Sequence, residues 1–171
     1  MVSIRRANEN DLRLLSMLAI TTFIESHGHS ASANDIDSYV EEKYNDDVLG
    51  KELSDPDNIY HFLFDKETAA GFSKIILNSP YDDSKTTTVT KLERIYILKE
   101  YYSLGIGKEL FDFNISFMKA NNQSGVWLYT WIENKRAIDF YLRQGFKIIG
   151  SHDFKISATH SNPNHRMLLE F

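Results

Sequence analysis

A chain of 171 residues, 42% hydrophobic and 25% charged, is sized for one globular domain over 1–171 and can bury a core without covalent staples. The lack of cysteine excludes a disulfide scaffold, thiolate metal sites and a cysteine nucleophile. A net charge of −5 argues against a general nucleic-acid binder, and no apolar run approaches the roughly 18 residues a membrane span needs. The polar stretch Met1 to Asn10 carries no apolar core of a secretion signal, so a cytoplasmic location is the expectation.

Ile4 to Ala7 reads as a short strand. Asn10 or Asp11 is placed to cap a helix that buries Leu12, Leu15, Leu18, Ala19 and Thr22/Phe23, and Gly28 ends it. Asn34 or Asp35 opens a second helical stretch, with Ile36, Tyr39, Val40 and Tyr44 on one side. A third piece, Asp47 to Leu53, stops before Pro56. The period then changes to that of strands. Ile59 to Phe64, a polar turn at Asp65 to Thr68, and Ala69 to Leu77 form a hairpin. After a loop, Thr87 to Leu98 forms the next strand. Ile106 to Ala120 has the wide apolar face of a packed helix. Val126 to Ile132 is a strand, Asn134 to Arg143 a helix stopped by Gly145, and Phe146 to Ile156 and His165 to Phe171 are closing strands. A strand–helix–strand passage after hairpins predicts a mixed α/β (α+β) sheet with a right-handed crossover.

The charge is uneven. Between Asn34 and Asn58 nine acids face only Lys43 and Lys51, leaving that stretch at −7 and the remainder at +2. Two readings follow: a solvated helical surface, or an acidic lip that collects a cationic substrate.

Leu92 to Phe146 carries the chemistry. The strand Leu92-Glu93-Arg94-Ile95-Tyr96-Ile97 leads through a turn into Leu104-Gly105-Ile106-Gly107-Lys108. Glycines at a helix start let backbone approach an anion. The unpartnered first-turn N–H groups and the helix dipole suit a pyrophosphate, with Lys108 adding charge at the rim. A purely structural turn has the same signature. A dinucleotide fingerprint would need glycine where Leu110 stands, and the spacing of a P-loop is absent. About one helix later comes Asn134-Lys135-Arg136-Ala137-Ile138-Asp139-Phe140-Tyr141, then Gly145-Phe146. Taken singly, Asn134 is also a helix cap and Tyr141 a core residue. His27 with His29, and His160 with His165, show no metal-ligand spacing, and no metal is expected. Trp127, Tyr129 and Trp131 share one strand face, either as core or as an aromatic wall for an amine.

Together these segments resemble the GNAT superfamily of acyl-CoA-dependent N-acetyltransferases. The family loop Gln/Arg-x-x-Gly-x-Gly/Ala is similar to Tyr102-Ser103-Leu104-Gly105-Ile106-Gly107. The later motif Asn-x-x-Ala-x-x-Phe-Tyr-x-x-x-Gly-Phe is matched at each fixed position from Asn134 to Phe146. The opening Ile4-Arg5, Ala7 and Asp11 belongs to the same likeness. The strand Leu92 to Ile97, Thr22-Phe23 and the acidic helical insert look like bacterial polyamine acetyltransferases of the PaiA type. One departure is Tyr102, where the family has Gln or Arg.

The resemblance implies a mixed, mostly antiparallel sheet splayed in the middle, with helices on both faces. It implies acetyl-CoA as cosubstrate. The pantetheine arm would pair with Ile95 and Ile97 beside Tyr96, and the pyrophosphate would rest on Tyr102 to Lys108. Asn134 would hydrogen-bond the arm, and Arg143 would reach the phosphates. Tyr141 is the implied acid for the leaving thiolate. Without cysteine, direct attack by the amine is expected, and a base is needed because a free alkylamine has a pKa near 10. Glu93 is the candidate base, with a structural ion pair as the other reading. The implied acceptor is a small-molecule primary amine, with spermidine or spermine as one class. A protein N-terminus, an amino acid, an antibiotic, or a CoA-binding regulator without activity are the alternatives. Monomer and homodimer are both compatible with the closing strands.

Overall fold

The computed structural model describes all of residues 1–171. Seven strands and five helices run in the order β1 (Val2–Arg6), α1 (Leu12–His27), α2 (Ala33–Lys43), α3 (Asp46–Ser54), β2 (Ile59–Asp65), β3 (Thr68–Ile76), β4 (Val89–Ile97), α4 (Ile106–Ala120), β5 (Gly125–Trp131), α5 (Lys135–Arg143), β6 (Lys147–Lys155) and β7 (Ser161–Glu170). All strands join one sheet in the order β1-β2-β3-β4-β5-β7-β6. Every pair is antiparallel except β4 with β5, the two strands joined by the α4 crossover.

Several boundaries differ from the sequence reading. Asp11 stands at the N-cap position of α1 as expected, but its side chain caps nothing there; the side-chain cap is made by Asn8, one turn earlier. A single 3-10 turn over Glu9–Asp11 precedes α1, and Asp11 is occupied by Arg5 at 2.6 Å and by the Asn8 N–H at 2.9 Å. Ser32 rather than Asn34 or Asp35 caps α2, accepting the Asp35 N–H at 3.2 Å. Strand β7 starts at Ser161, four residues before the expected His165. Pro163 is tolerated there because β5 ends opposite Asn164: its carbonyl still accepts the Ile132 N–H at 3.0 Å, but no strand residue stands opposite it on that side to need an N–H in return.

The strand period of two sorts the core into faces. Tyr60, Phe62 and Phe72 pack with Leu15, Leu18 and Phe23 of α1, Ile36 of α2 and Leu49 of α3. Ile59, Ile75, Leu92, Val126, Leu128 and Met167 pack on the other face with Phe111 and Met118 of α4 and Tyr141 of α5. At about 25 cal/mol per Å², these two apolar layers supply most of the drive to fold. Helices therefore cover both sides of the sheet.

The sheet parts between β4 and β5. Pairing is confined to Val89, Thr90 and Lys91 opposite Gly125, Val126 and Trp127. On the other side of β4, Arg94 faces Lys74 and Leu92 faces Ile75, which leaves Glu93 as the extra residue of a bulge. A bulge bends its strand and sharpens its twist, and this one sits where β4 turns away from β5.

Candidate active site

The gap between the diverging strands is one cavity of about 840 Å³. Its walls come from β4, β5, the loop before α4, the start of α5 and the inner side of α1 to α3. Glu93, Ile95, Tyr96, Ile97, Tyr102, Ser103, Gly105, Gly107, Lys108, Asn134, Tyr141 and Arg143 all line it. Two of the candidates do not. The Leu104 side chain is 63% exposed, and Ile106 is buried against Leu63, Ala70 and Leu110, so these two residues offer only backbone.

The loop before α4 is shaped by left-handed backbone. Ser103 has φ 67° and Gly105 φ 80°. Lys108 N–H bonds the Gly105 carbonyl at 2.9 Å, while the N–H groups of Gly105, Ile106 and Gly107 find no acceptor in the protein. They open at the positive end of a 15-residue helix, an arrangement suited to an anion. Gly107 lets that helix close on β4, since a Cβ there would lie 3.2 Å from Ile97 Cγ1. The charge around the loop differs from the sequence expectation. Lys108 is tied to Asp112 at 2.5 Å. A further cation is supplied by Arg136, whose guanidinium lies 3.5 Å from the centre of the Tyr102 ring. A tyrosine where the family has Gln or Arg is thus matched by an arginine stacked on it from the neighbouring helix. Arg136 falls on a variable position of the α5 motif, so only the substitution at Tyr102 hinted at it.

The edge of β4 is free along the gap. Leu98 N–H bonds the Ala70 carbonyl of β3 at 2.9 Å. Backbone groups alternate along a strand, so Tyr96 also faces β3, and Ile95 and Ile97 present N–H and C=O to the gap. Tyr96 therefore contributes its ring to the cavity and not its backbone. Asn134 caps α5 by accepting the Ala137 N–H at 3.2 Å, which leaves its Nδ2 able to donate into the cavity. The Tyr141 hydroxyl has no protein partner, and burial pushes this phenol well above the ordinary range. It is a neutral donor at any working pH.

The far end of the cavity holds charge that the sequence reading missed. Lys74, only 4% exposed, sits between Glu93 at 2.5 Å and Glu52 at 3.2 Å. Lys91 reaches Glu93 at 3.0 Å. Arg94 reaches Glu52 at 2.8 Å and Tyr60 Oη at 2.7 Å, with its guanidinium 5.3 Å from the Tyr44 ring centre. Tyr60 also donates to Glu52. Burial alone would raise the Glu93 carboxyl, but Lys74, with Lys91 and Arg94, outweighs it and holds it at about 2. Glu93 is thus ionised yet a weak proton acceptor. Of the nine acids between Asn34 and Asn58, Glu52 alone enters the cavity, and there it is matched by Arg94 and Lys74. The rest lie on the outer surfaces of α2, α3 and the loop after them, the solvated surface of the two readings. Around this end stand Phe23, Tyr39, Tyr44, Tyr96, Trp131 and Phe154. The hydroxyls of Tyr39, Tyr44 and Tyr96 make no bond to protein.

An amide-lined anion site, a free strand edge and an unpaired buried phenol in one cavity define a site for acyl transfer from a phosphorylated pantetheine carrier. The chain belongs to the acetyltransferase (GNAT) family, whose model matches residues 21–146. It is an acetyl-CoA-dependent N-acetyltransferase with acetyl-CoA as cosubstrate. It is 29% identical over 153 residues to an uncharacterised N-acetyltransferase of Lactobacillus delbrueckii subsp. lactis, covering 90% of this chain and 88% of that one. It is 28% identical to the spermidine N(1)-acetyltransferase of Thermoplasma acidophilum, over 86% of this chain and 89% of that protein. Among solved structures it is similar to the PaiA N-acetyltransferase of T. acidophilum in complex with coenzyme A, with TM-score 0.78, 25% identity and coverage of 100% and 99%. No helix is long and apolar enough to cross a membrane.

Proposed function

We propose that the enzyme acetylates a primary amine of a small molecule by direct attack on bound acetyl-CoA. The observation that carries this is the continuity of one cavity from the Gly105–Gly107 amides, past the open edge at Ile95 and Ile97, to the tyrosine-lined end. In this reading the loop amides and Arg136 hold the pyrophosphate, with Arg143 reaching the outer phosphate. Ile95 and Ile97 pair with the pantetheine arm as an added strand, and Asn134 Nδ2 donates to it. The Ile95 N–H polarises the thioester carbonyl. The amine lone pair forms the C–N bond, the C–S bond breaks, and the Tyr141 hydroxyl donates to the departing sulfur. Glu93 acts through its charge, fixing Lys74 and Lys91 at the acceptor end.

A polyamine acceptor is the finer part of this proposal. The spermidine-acetylating relative supports it. So do the unpartnered phenols of Tyr39, Tyr44 and Tyr96, which offer lone pairs and ring faces to an ammonium. The test is thiol release from acetyl-CoA against a panel of spermidine, spermine, monoamines, amino acids and short peptides. Turnover is expected with the amines, led by the polyamines. An active peptide with inert spermidine removes the polyamine class, and CoA binding without turnover on any acceptor removes the amine-transfer reading.

A further inference from the structure

His27 is the last residue of α1, and its ring spans the gap between the parting strands. It stacks on Phe23 with ring centres 5.2 Å apart, meets the edge of Tyr96 on β4 at 6.1 Å and leans on Trp131 of β5 at 5.8 Å. It lines the cavity on the side of the early helices, where the acceptor enters in the reading above.

One hydroxyl, that of Ser26, governs its tautomer. Ser26 Oγ donates its one proton to the Thr22 carbonyl at 2.7 Å, an i−4 bond along the helix. With its proton there the hydroxyl accepts from His27 Nδ1, which lies 2.7 Å away; turned to Nδ1, the same proton would mark the other tautomer. In the first arrangement the proton is on Nδ1 and Nε2, which has no partner in the protein, carries a free lone pair. The titratable groups near the ring are His29, which follows it in the chain, and the Tyr96 phenol of β4. Tyr39 of α2 lies behind Phe23. No carboxylate is paired with it. Burial, with the repulsion of His29, lowers the imidazole to about 4, so it is neutral at physiological pH.

We propose that His27 is the catalytic base of the transfer, its Nε2 taking the proton that the amine nitrogen sheds as the C–N bond forms. This rests on the reading that an amine is the acceptor. An amine arriving as an ammonium loses its first proton to solvent. The second passes to Nε2, directly or through one water, while the C–S bond breaks and Tyr141 protonates the sulfur. The imidazolium then releases its proton to solvent at the cavity mouth and Tyr141 regains one. The net movement is one proton from nitrogen to sulfur. The two carboxylates of the cavity are both held by cations, Glu93 by Lys74 and Lys91 and Glu52 by Lys74 and Arg94, whereas His27 Nε2 is held by none.

Steady-state kinetics of the wild type, His27→Gln and His27→Ala test this, with the best acceptor of the amine panel. His27→Gln is expected to lower kcat by about 100-fold while the KM for acetyl-CoA stays within roughly twofold. Added imidazole is expected to restore at least roughly tenfold of the His27→Ala rate, which a merely structural role would not allow. The ¹⁵N spectrum of the wild-type imidazoles, read without any acceptor, is expected to show His27 protonated on Nδ1. A His27→Gln rate within roughly threefold of wild type, or a His27 protonated on Nε2, overturns the proposal. A wild type inert toward every amine overturns the amine-acceptor reading and the role of His27 with it, whereas an active wild type with an unimpaired His27→Gln overturns that role alone.

Discussion

Tyr141 is buried and Glu93 half-buried at the splay, and their surroundings set them apart. Tyr141 has apolar neighbours and a free hydroxyl, which in the proposed mechanism gives its proton to the leaving thiolate. Tyr141→Phe is expected to lower kcat by about 100-fold and leave acetyl-CoA affinity within roughly twofold, as single-turnover rates and calorimetry would reveal. Glu93 instead is paired with Lys74 and Lys91, and we propose for it a structural rather than a basic role. Its folded pKa of about 2 lies below its unfolded value, so its contribution to stability is complete above about pH 4.3 and is lost as the pH falls toward 2. Glu93→Gln should flatten the acid side of a plot of unfolding free energy against pH. At pH 7 it should cost about 2 kcal/mol, because Lys74 keeps only Glu52. Denaturant melts across that range would detect an unchanged slope, which would mean the ion pairs contribute nothing. Position 93 drew notice because of its strand and its motif. Its two lysine partners lie on β3 and on its own strand, and only one of them was near in sequence.

The elements around the site were more legible than their ends. The α4 period, the glycines before it and the Asn134 motif are local signals, and they stand where the residues put them. The caps at Asn8 and Ser32 were misassigned because several capping residues stand close together and each can accept an N–H. Gly105 is the position where the loop depends on left-handed backbone. Gly105→Ala should cost about 1 kcal/mol in stability and raise the KM for acetyl-CoA, since the amides that line the anion site would be redirected. Arg136 acts across elements, from α5 onto the loop before α4. Arg136→Ala should raise the KM for acetyl-CoA about tenfold with little change in kcat, the pattern of a contact made equally in the ground and transition states.

At the scale of the whole molecule the sheet is two halves joined by three residue pairs between β4 and β5. A ligand that adds a strand along β4 ties those halves together. Acetyl-CoA at 100 times its Kd should stabilise the fold by about 2.7 kcal/mol and raise Tm by roughly 5 to 10 °C. Hydrogen exchange at Ile95 and Ile97 should slow in the complex, while Tyr96, already turned to β3, changes little. Equal effects at all three amides would contradict the strand-edge geometry.

Helix and strand order, the α4 crossover, the glycine loop and the α5 motif were determined by the chain alone, because each arises from residues within a few positions of one another. The tertiary structure alone decided which charges meet. It turned eight of nine acids outward and brought the ninth, Glu52, against Arg94 and Lys74. It set Arg136 on Tyr102, and it carried His27 from the end of α1 to the gap between Tyr96 and Trp131. Such pairings depend on side chains far apart in sequence, and no local pattern encodes them. They exist because packing both faces of one twisted sheet leaves an opening between β4 and β5 into which these side chains project.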